Sequence, residues 1–123
     1  MSTIEEFADV PAEGISSDAE DYRPLAEHLV EEFFPGCIIG GLGLFEVAPG
    51  QIHPAHIDDQ PPEWVTRVHI PLQTNPHCVA TMPDGPHQMV VGKAYKFNTT
   101  IEHAVSNGGK TPRIHLVFEV RRC

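Results

Sequence analysis

Positive charge is scarce in this chain. Eight Lys and Arg face seventeen Asp and Glu, for a formal charge of −9. That deficit argues against nucleic acid as a partner, because binding to phosphates is mostly Lys and Arg releasing counterions. It leaves small substrates open, since a pocket can carry charge opposite to the whole. Long apolar runs are also missing. No stretch approaches the roughly 18 residues of a membrane span, and the acidic N-terminus lacks the apolar core of a secretory signal. Cysteine is sparse and odd in number, with Cys37, Cys78 and Cys123 far apart and no Cys-x-x-Cys pair. This disfavours a disulfide framework or a structural zinc site and fits free thiols in a reducing cytoplasm.

What remains is an ordinary globular composition, 41% apolar and 20% charged over 123 residues. A chain of this length makes one domain and buries about two-thirds of its unfolded surface. Residues 1–22 read as a solvated acidic leader, since the first 21 hold seven acids and no base, the composition of a flexible segment. Residues 23–123 read as the single domain. Pro24 suits the first turn of a helix. Leu25, Leu29 and Phe33 then share one face, and Pro35-Gly36 stops the helix, which is expected to pack on a sheet.

From Cys37 onward the pattern changes to short apolar runs divided by Gly, Pro and Asn. Strands are predicted at Cys37–Val47, Gln51–His56, Val65–Leu72, Cys78–Met82, Gln88–Val91, Ala94–Phe97, His103–Val105 and Arg113–Val120. Turn signals separate them at Pro49-Gly50, Pro61-Pro62, Asn75-Pro76, Pro83-Asp84-Gly85-Pro86 and Asn107-Gly108-Gly109. About eight short strands at this spacing indicate a sandwich or barrel, all-β with an N-terminal helix. Alternation sharpens this. Val65, Arg67, His69 and Pro71 oppose Thr66, Val68, Ile70 and Leu72, and Arg113, His115, Val117 and Glu119 oppose Ile114, Leu116, Phe118 and Val120. In an isolated hairpin the charged face would be solvated. In a small barrel or jelly roll it can line a ligand cavity instead, and two such strands, each bearing an Arg, favour the cavity.

The chemistry concentrates in a few residues. His56-Ile57-Asp58 is a His-x-Asp pair whose side chains share one side if Ile57 is extended. His103 follows 45 residues after Asp58, and Arg113 opens the last strand. Two imidazoles and a carboxylate can occupy one face of Fe(II) and leave positions open for a co-substrate and dioxygen. A guanidinium nearby can hold a dicarboxylate through two parallel charge-assisted hydrogen bonds. Asp59 is a rival for Asp58 if the segment is a loop. His53 reads as pocket wall or surface, and His115 as a residue that orients ligands from behind.

The segment Pro49-Gly50-Gln51-Ile52-His53-Pro54-Ala55-His56-Ile57-Asp58 resembles the entry segment of the aspartyl/asparaginyl β-hydroxylase family. So do Arg67-Val68-His69-Ile70-Pro71-Leu72, the Gly92-x-x-x-x-Phe97 lead-in to His103, and Pro112-Arg113-Ile114-His115-Leu116-Val117-Phe118. The likeness covers roughly residues 40 to 121. It implies a double-stranded β-helix (a cupin-like jelly roll) that holds non-haem Fe(II) and uses 2-oxoglutarate and O₂ as co-substrates. By position it implies His56, Asp58 and His103 as catalytic metal ligands and Arg113 as anchor of the distal carboxylate. Arg67 and His69 would assist co-substrate binding. Asn98-Thr99-Thr100 departs from the acidic pair and Ser common in the family, and from its length the chain is expected to carry no appended recognition domain. The implied activity is a dioxygenase that hydroxylates a C–H bond of a small amino acid or of an Asp/Asn-type residue in a peptide.

Two other readings stay open on sequence. Gly92-(x)5-Asn98-x-Thr100-(x)2-His103-(x)3-Asn107 follows the second cupin motif, although His53 and His56 fit the first motif badly. That would allow another dioxygenase, an isomerase or a small-ligand binder that does not use 2-oxoglutarate. The other reading is a metal-free β-sandwich interaction module.

Overall fold

The computed structural model describes residues 3–11, 15–61 and 63–122. Pro62, half of one predicted turn, and Cys123 lie outside the described residues. The strands are β1 (Ile4–Asp9), β2 (Ile38–Val47), β3 (Ile52–His56), β4 (Trp64–Gln73), β5 (Cys78–Met82), β6 (Gly85–His87), β7 (Lys93–Phe97), β8 (His103–Asn107) and β9 (Arg113–Arg121). A 3-10 turn at Ala19–Tyr22 leads into α1 (Arg23–Phe33). The strands form two antiparallel sheets, one in the order β1-β7-β4-β9-β2 and the other β3-β8-β5-β6. This is the two-sheet jelly roll that the strand count pointed to. Among the described residues no helix is long and apolar enough to cross a membrane.

Alternation decides which face of the five-stranded sheet does what. Val68 and Ile70 of β4 and Leu116, Phe118 and Val120 of β9 turn outward, where Ala26, Leu29 and Val30 of α1 cover them in one core cluster. Arg67 and His69 of β4, with Arg113 and Val117 of β9, point the other way into a cavity. Pairing keeps these residues in rows, with Arg67 opposite Glu119 and His69 opposite Val117. A second cluster of Ala80, Met82, Met89, Tyr95 and Phe97 fills the space beside the cavity.

Three expectations need correction. The acidic leader contains a strand: Ile4–Asp9 pairs with β7 and forms one edge of the larger sheet. Its exposed Glu5 and Glu6 gave the acidic composition, while Phe7 packs edge-on against Phe33 and Phe34, with ring centroids 5.3 and 5.5 Å away. Pro24 does stand in the first turn of α1, but the buried face is Ala26, Leu29 and Val30. Phe33 stays 39% exposed at the margin. The strand predicted at Gln88–Val91 lies instead at Gly85–His87, paired to β5. Pro86 is tolerated there because β6 is a sheet edge, where a missing N–H costs no ladder bond.

Candidate metal centre and co-substrate cavity

The cavity occupies about 290 Å³ between the sheets, and its walls include His53, His56, Asp58, Arg67, His69, Phe97, Thr99, His103, Val105 and Arg113. His56 and His103 face each other across the β3–β8 pairing. Inward placement of both His53 and His56 needs an irregularity, because three residues along a regular strand reach opposite faces. The register shift between His53 and His56 supplies it. Beyond β3, the Asp58 N–H donates to the Thr99 carbonyl at 2.9 Å, which pins the loop and aims the carboxylate inward.

His56, Asp58 and His103 offer ligand atoms that all lie within 4.8 Å of one another. Nε2 of His56 is 3.6 Å from Asp58 Oδ1, and Nε2 of His103 is 3.5 Å from Oδ2. These separations exceed a hydrogen bond and suit donors around one ion, since bonds of about 2.0–2.2 Å at adjacent positions put ligand atoms roughly 3–3.5 Å apart. The other ring nitrogens are already engaged. His56 Nδ1 lies 2.8 Å from the Pro54 carbonyl, and His103 Nδ1 lies 2.8 Å from the Ile101 carbonyl. A carbonyl can only accept, so each Nδ1 carries the proton and each Nε2 keeps its lone pair for a cation. The donor set therefore fits a divalent metal. His103 is 5% exposed, whereas His56 and Asp58 sit at the open side. The rival Asp59 is exposed and outside the cluster.

Farther along the cavity Arg113 is 5% exposed, and its Nη2 is buried with no hydrogen-bond partner. Burial lowers its pKa from the ordinary 12.5 to about 10. Asn107, buried at the end of β8, braces this end by donating to the carbonyls of Val47 and Thr111. Arg67 sits nearer the metal cluster, with Nη1 3.7 Å from Asp58 Oδ2 and its guanidinium 5.4 Å from the Trp64 ring centroid. Lys93 pairs with Asp9 and Glu6, and His28 with Glu32 on the exposed helix face.

His69 lies against Phe97, and its Nδ1 is 3.0 Å from Nδ1 of His115. Burial, followed by the charge of Arg113, pushes both imidazoles well below the usual pKa of 6.5. Both are neutral rings at pH 7. Sequence reading missed Thr99, which is 1% exposed with an unpartnered hydroxyl in the cavity wall. It lies between strands, where periodicity carries no signal. His53, read as pocket wall or surface, stands in the cavity wall, where its buried Nε2 is likewise unpartnered.

Known proteins bear on this geometry. The model of the aspartyl/asparaginyl beta-hydroxylase family matches residues 15–123. An L-proline cis-4-hydroxylase from Rhizobium meliloti (strain 1021) is 33% identical over 57 residues, 46% of this chain and 20% of that protein. The matched stretch thus spans a fifth of the relative's length. A 2OG-Fe(II) oxygenase family structure from Burkholderia pseudomallei superposes with a TM-score of 0.64 at 14% identity, covering 98% of this chain and 68% of that one. A cupin domain from Bordetella pertussis gives 0.51 at 21% identity over 70% of this chain and 94% of its own. At these identities the two structures establish the double-stranded β-helix alone. The family match takes in every strand except β1 and spans all three residues of the candidate cluster, and the chain belongs to the aspartyl/asparaginyl β-hydroxylase family.

Proposed function

We propose that this protein is an Fe(II)- and 2-oxoglutarate-dependent dioxygenase that hydroxylates an unactivated C–H bond of a free amino acid or of an Asp/Asn-type residue in a peptide. The observation that carries the reading is the pairing of two features in one cavity of about 290 Å³: the His56–Asp58–His103 cluster and the unpartnered, buried guanidinium of Arg113. A buried charge without a partner is costly unless a ligand supplies the partner. A dicarboxylate that reaches from the metal cluster to Arg113 does so with the two-pronged geometry a guanidinium favours. A metal-binding cupin that does not use the keto acid has no need of that cation, and neither has a metal-free interaction module.

His56, Asp58 and His103 would hold the ion, and Arg113 the far carboxylate. Arg67 and His69 would flank the co-substrate from β4. The ion, once bound with the keto acid, supplies the activation of dioxygen for insertion into a C–H bond. The chain's own part is positional. The Nδ1–H bonds of His56 and His103 to backbone carbonyls fix both rings. Phe97, Val105 and Val117 give the cavity apolar wall, which limits water around the reacting groups. The relative named above makes L-proline the first substrate to try, within a panel of free amino acids and Asp- or Asn-containing peptides. With Fe(II), 2-oxoglutarate and O₂, one panel member should gain one oxygen atom in mass with matching succinate release. Oxygenation that proceeds equally without 2-oxoglutarate would transfer the assignment to another cupin chemistry.

A further inference from the structure

His69 and His115 present Nδ1 to each other at 3.0 Å with their rings nearly perpendicular, 81° between planes. The pairing scheme explains the encounter: His69 stands opposite Val117 and His115 opposite Pro71, so the two histidines are diagonal neighbours on the inward face. Only His69 lines the large cavity. His115 is 1% exposed and sits behind it, bordering a void of about 10 Å³ with Thr74 and Cys78.

A neutral imidazole carries one N–H. Two Nδ1 atoms at hydrogen-bond distance therefore need a single proton between them, since two N–H groups would clash and two lone pairs would repel. The tautomers of the two rings are consequently tied together. If His115 holds its proton on Nδ1, His69 accepts there and must carry its own proton on Nε2, at the opposite edge of the ring. The reverse arrangement leaves Nε2 of His69 as a lone pair. A deprotonated keto acid offers only acceptors, so it pairs with the first arrangement and is repelled by the second.

We infer that His115 is a positioning residue for co-substrate binding: it donates Nδ1–H to His69 Nδ1 and thereby holds His69 as an Nε2–H donor to 2-oxoglutarate. This rests on the functional reading above. It assigns a role to a residue that does not line the large cavity and whose hydrogen-bond contact with the site runs through His69. Charge supports it. Burial and the nearby Arg113 cation keep both rings neutral, so neither can simply be doubly protonated.

The test is long-range ¹H–¹⁵N correlation on the full chain loaded with Zn(II), a diamagnetic substitute, and 2-oxoglutarate. His69 should show a protonated Nε2 with a bare Nδ1, and His115 the reverse. A second arm measures 2-oxoglutarate affinity in His115→Asn, whose amide N–H can stand near the lost Nδ1–H, and in His115→Leu, which has no donor. His115→Leu should weaken 2-oxoglutarate about tenfold, the scale of one hydrogen bond to a charged group, with Zn(II) affinity unchanged. His115→Asn should recover most of that loss. Should His115→Leu fail to fold, His115→Asn must still show His69 protonated on Nε2. A His69 ring protonated on Nδ1 in the loaded protein, or equal 2-oxoglutarate affinity in all variants, overturns the inference. Failure of 2-oxoglutarate to bind the wild-type chain at all would instead remove the functional reading beneath it.

Discussion

Arg113→Met separates a residue kept for binding from one kept for stability. Met retains much of the apolar stem and removes the charge. In the ligand-free chain the Arg113 guanidinium is 5% exposed and leaves Nη2 unpartnered. Its pKa falls from 12.5 to about 10 through burial, which corresponds to about 3 kcal/mol against the charged form. Some of that is offset by packing the stem makes, and Met fills slightly less space. The net expectation is a ligand-free Arg113→Met protein about 1–3 kcal/mol more stable than wild type. For a domain of this size that is a rise in Tm of roughly 3–10 °C. The same substitution should abolish the stabilisation by 2-oxoglutarate, which in wild type reaches about 2.7 kcal/mol at a hundredfold excess over Kd. Calorimetry with Zn(II), with and without 2-oxoglutarate, reads both effects. If Arg113→Met lowers ligand-free stability by more than about 1 kcal/mol, the guanidinium is structural and the reasoning fails.

Two further outcomes follow from the packing and the buried rings. Because folding lowers the pKa of His69 and His115, the unfolded chain protonates first at these rings. Their contribution to stability is complete above about pH 6.5 and is lost as pH falls below it, with a slope of up to about 2.7 kcal/mol per pH unit for two protons. Urea unfolding from pH 7.5 to 5 should show that slope in wild type and a flatter one in a His69→Leu/His115→Leu double variant; parallel curves would contradict the burial argument. Phe7→Ala removes the ring packed on Phe33 and Phe34 and should cost about 2 kcal/mol, below the range for fully buried aromatics. An unchanged Tm would mean that β1 adds nothing to the domain.

The sequence was most legible where a face is buried. β5 falls at Cys78–Met82 as predicted, β4 is longer than expected by one residue at each end, and β9 by one residue at its last end. Their strict alternation also revealed that Arg67, His69 and Arg113 share the inward face. β1 was hidden because it is a sheet edge with exposed Glu5 and Glu6, so its composition resembles a solvated tail. The segment 88–91 misled for the opposite reason. Met89 is buried and the Val90 N–H donates to the Tyr95 hydroxyl at 2.9 Å, so the run is apolar without joining a ladder. His53, read as pocket wall or surface, does line the cavity, but the register shift in β3 that brings it and His56 inward together left no mark in the sequence. The meeting of His69 with His115 depends on cross-strand register, which one sequence does not reveal.

The central claim is that one cavity binds ferrous iron and 2-oxoglutarate together. Anaerobic titration of 2-oxoglutarate into the Fe(II)-loaded protein, followed by visible absorbance, tests it directly. A keto acid chelating ferrous iron offers low-lying empty orbitals, so a weak charge-transfer band should grow to saturation, and His103→Ala, which loses one of three protein ligands, should show none. Iron demonstrably bound to the wild-type chain, with no band and no rise in Tm on adding 2-oxoglutarate, would contradict the account.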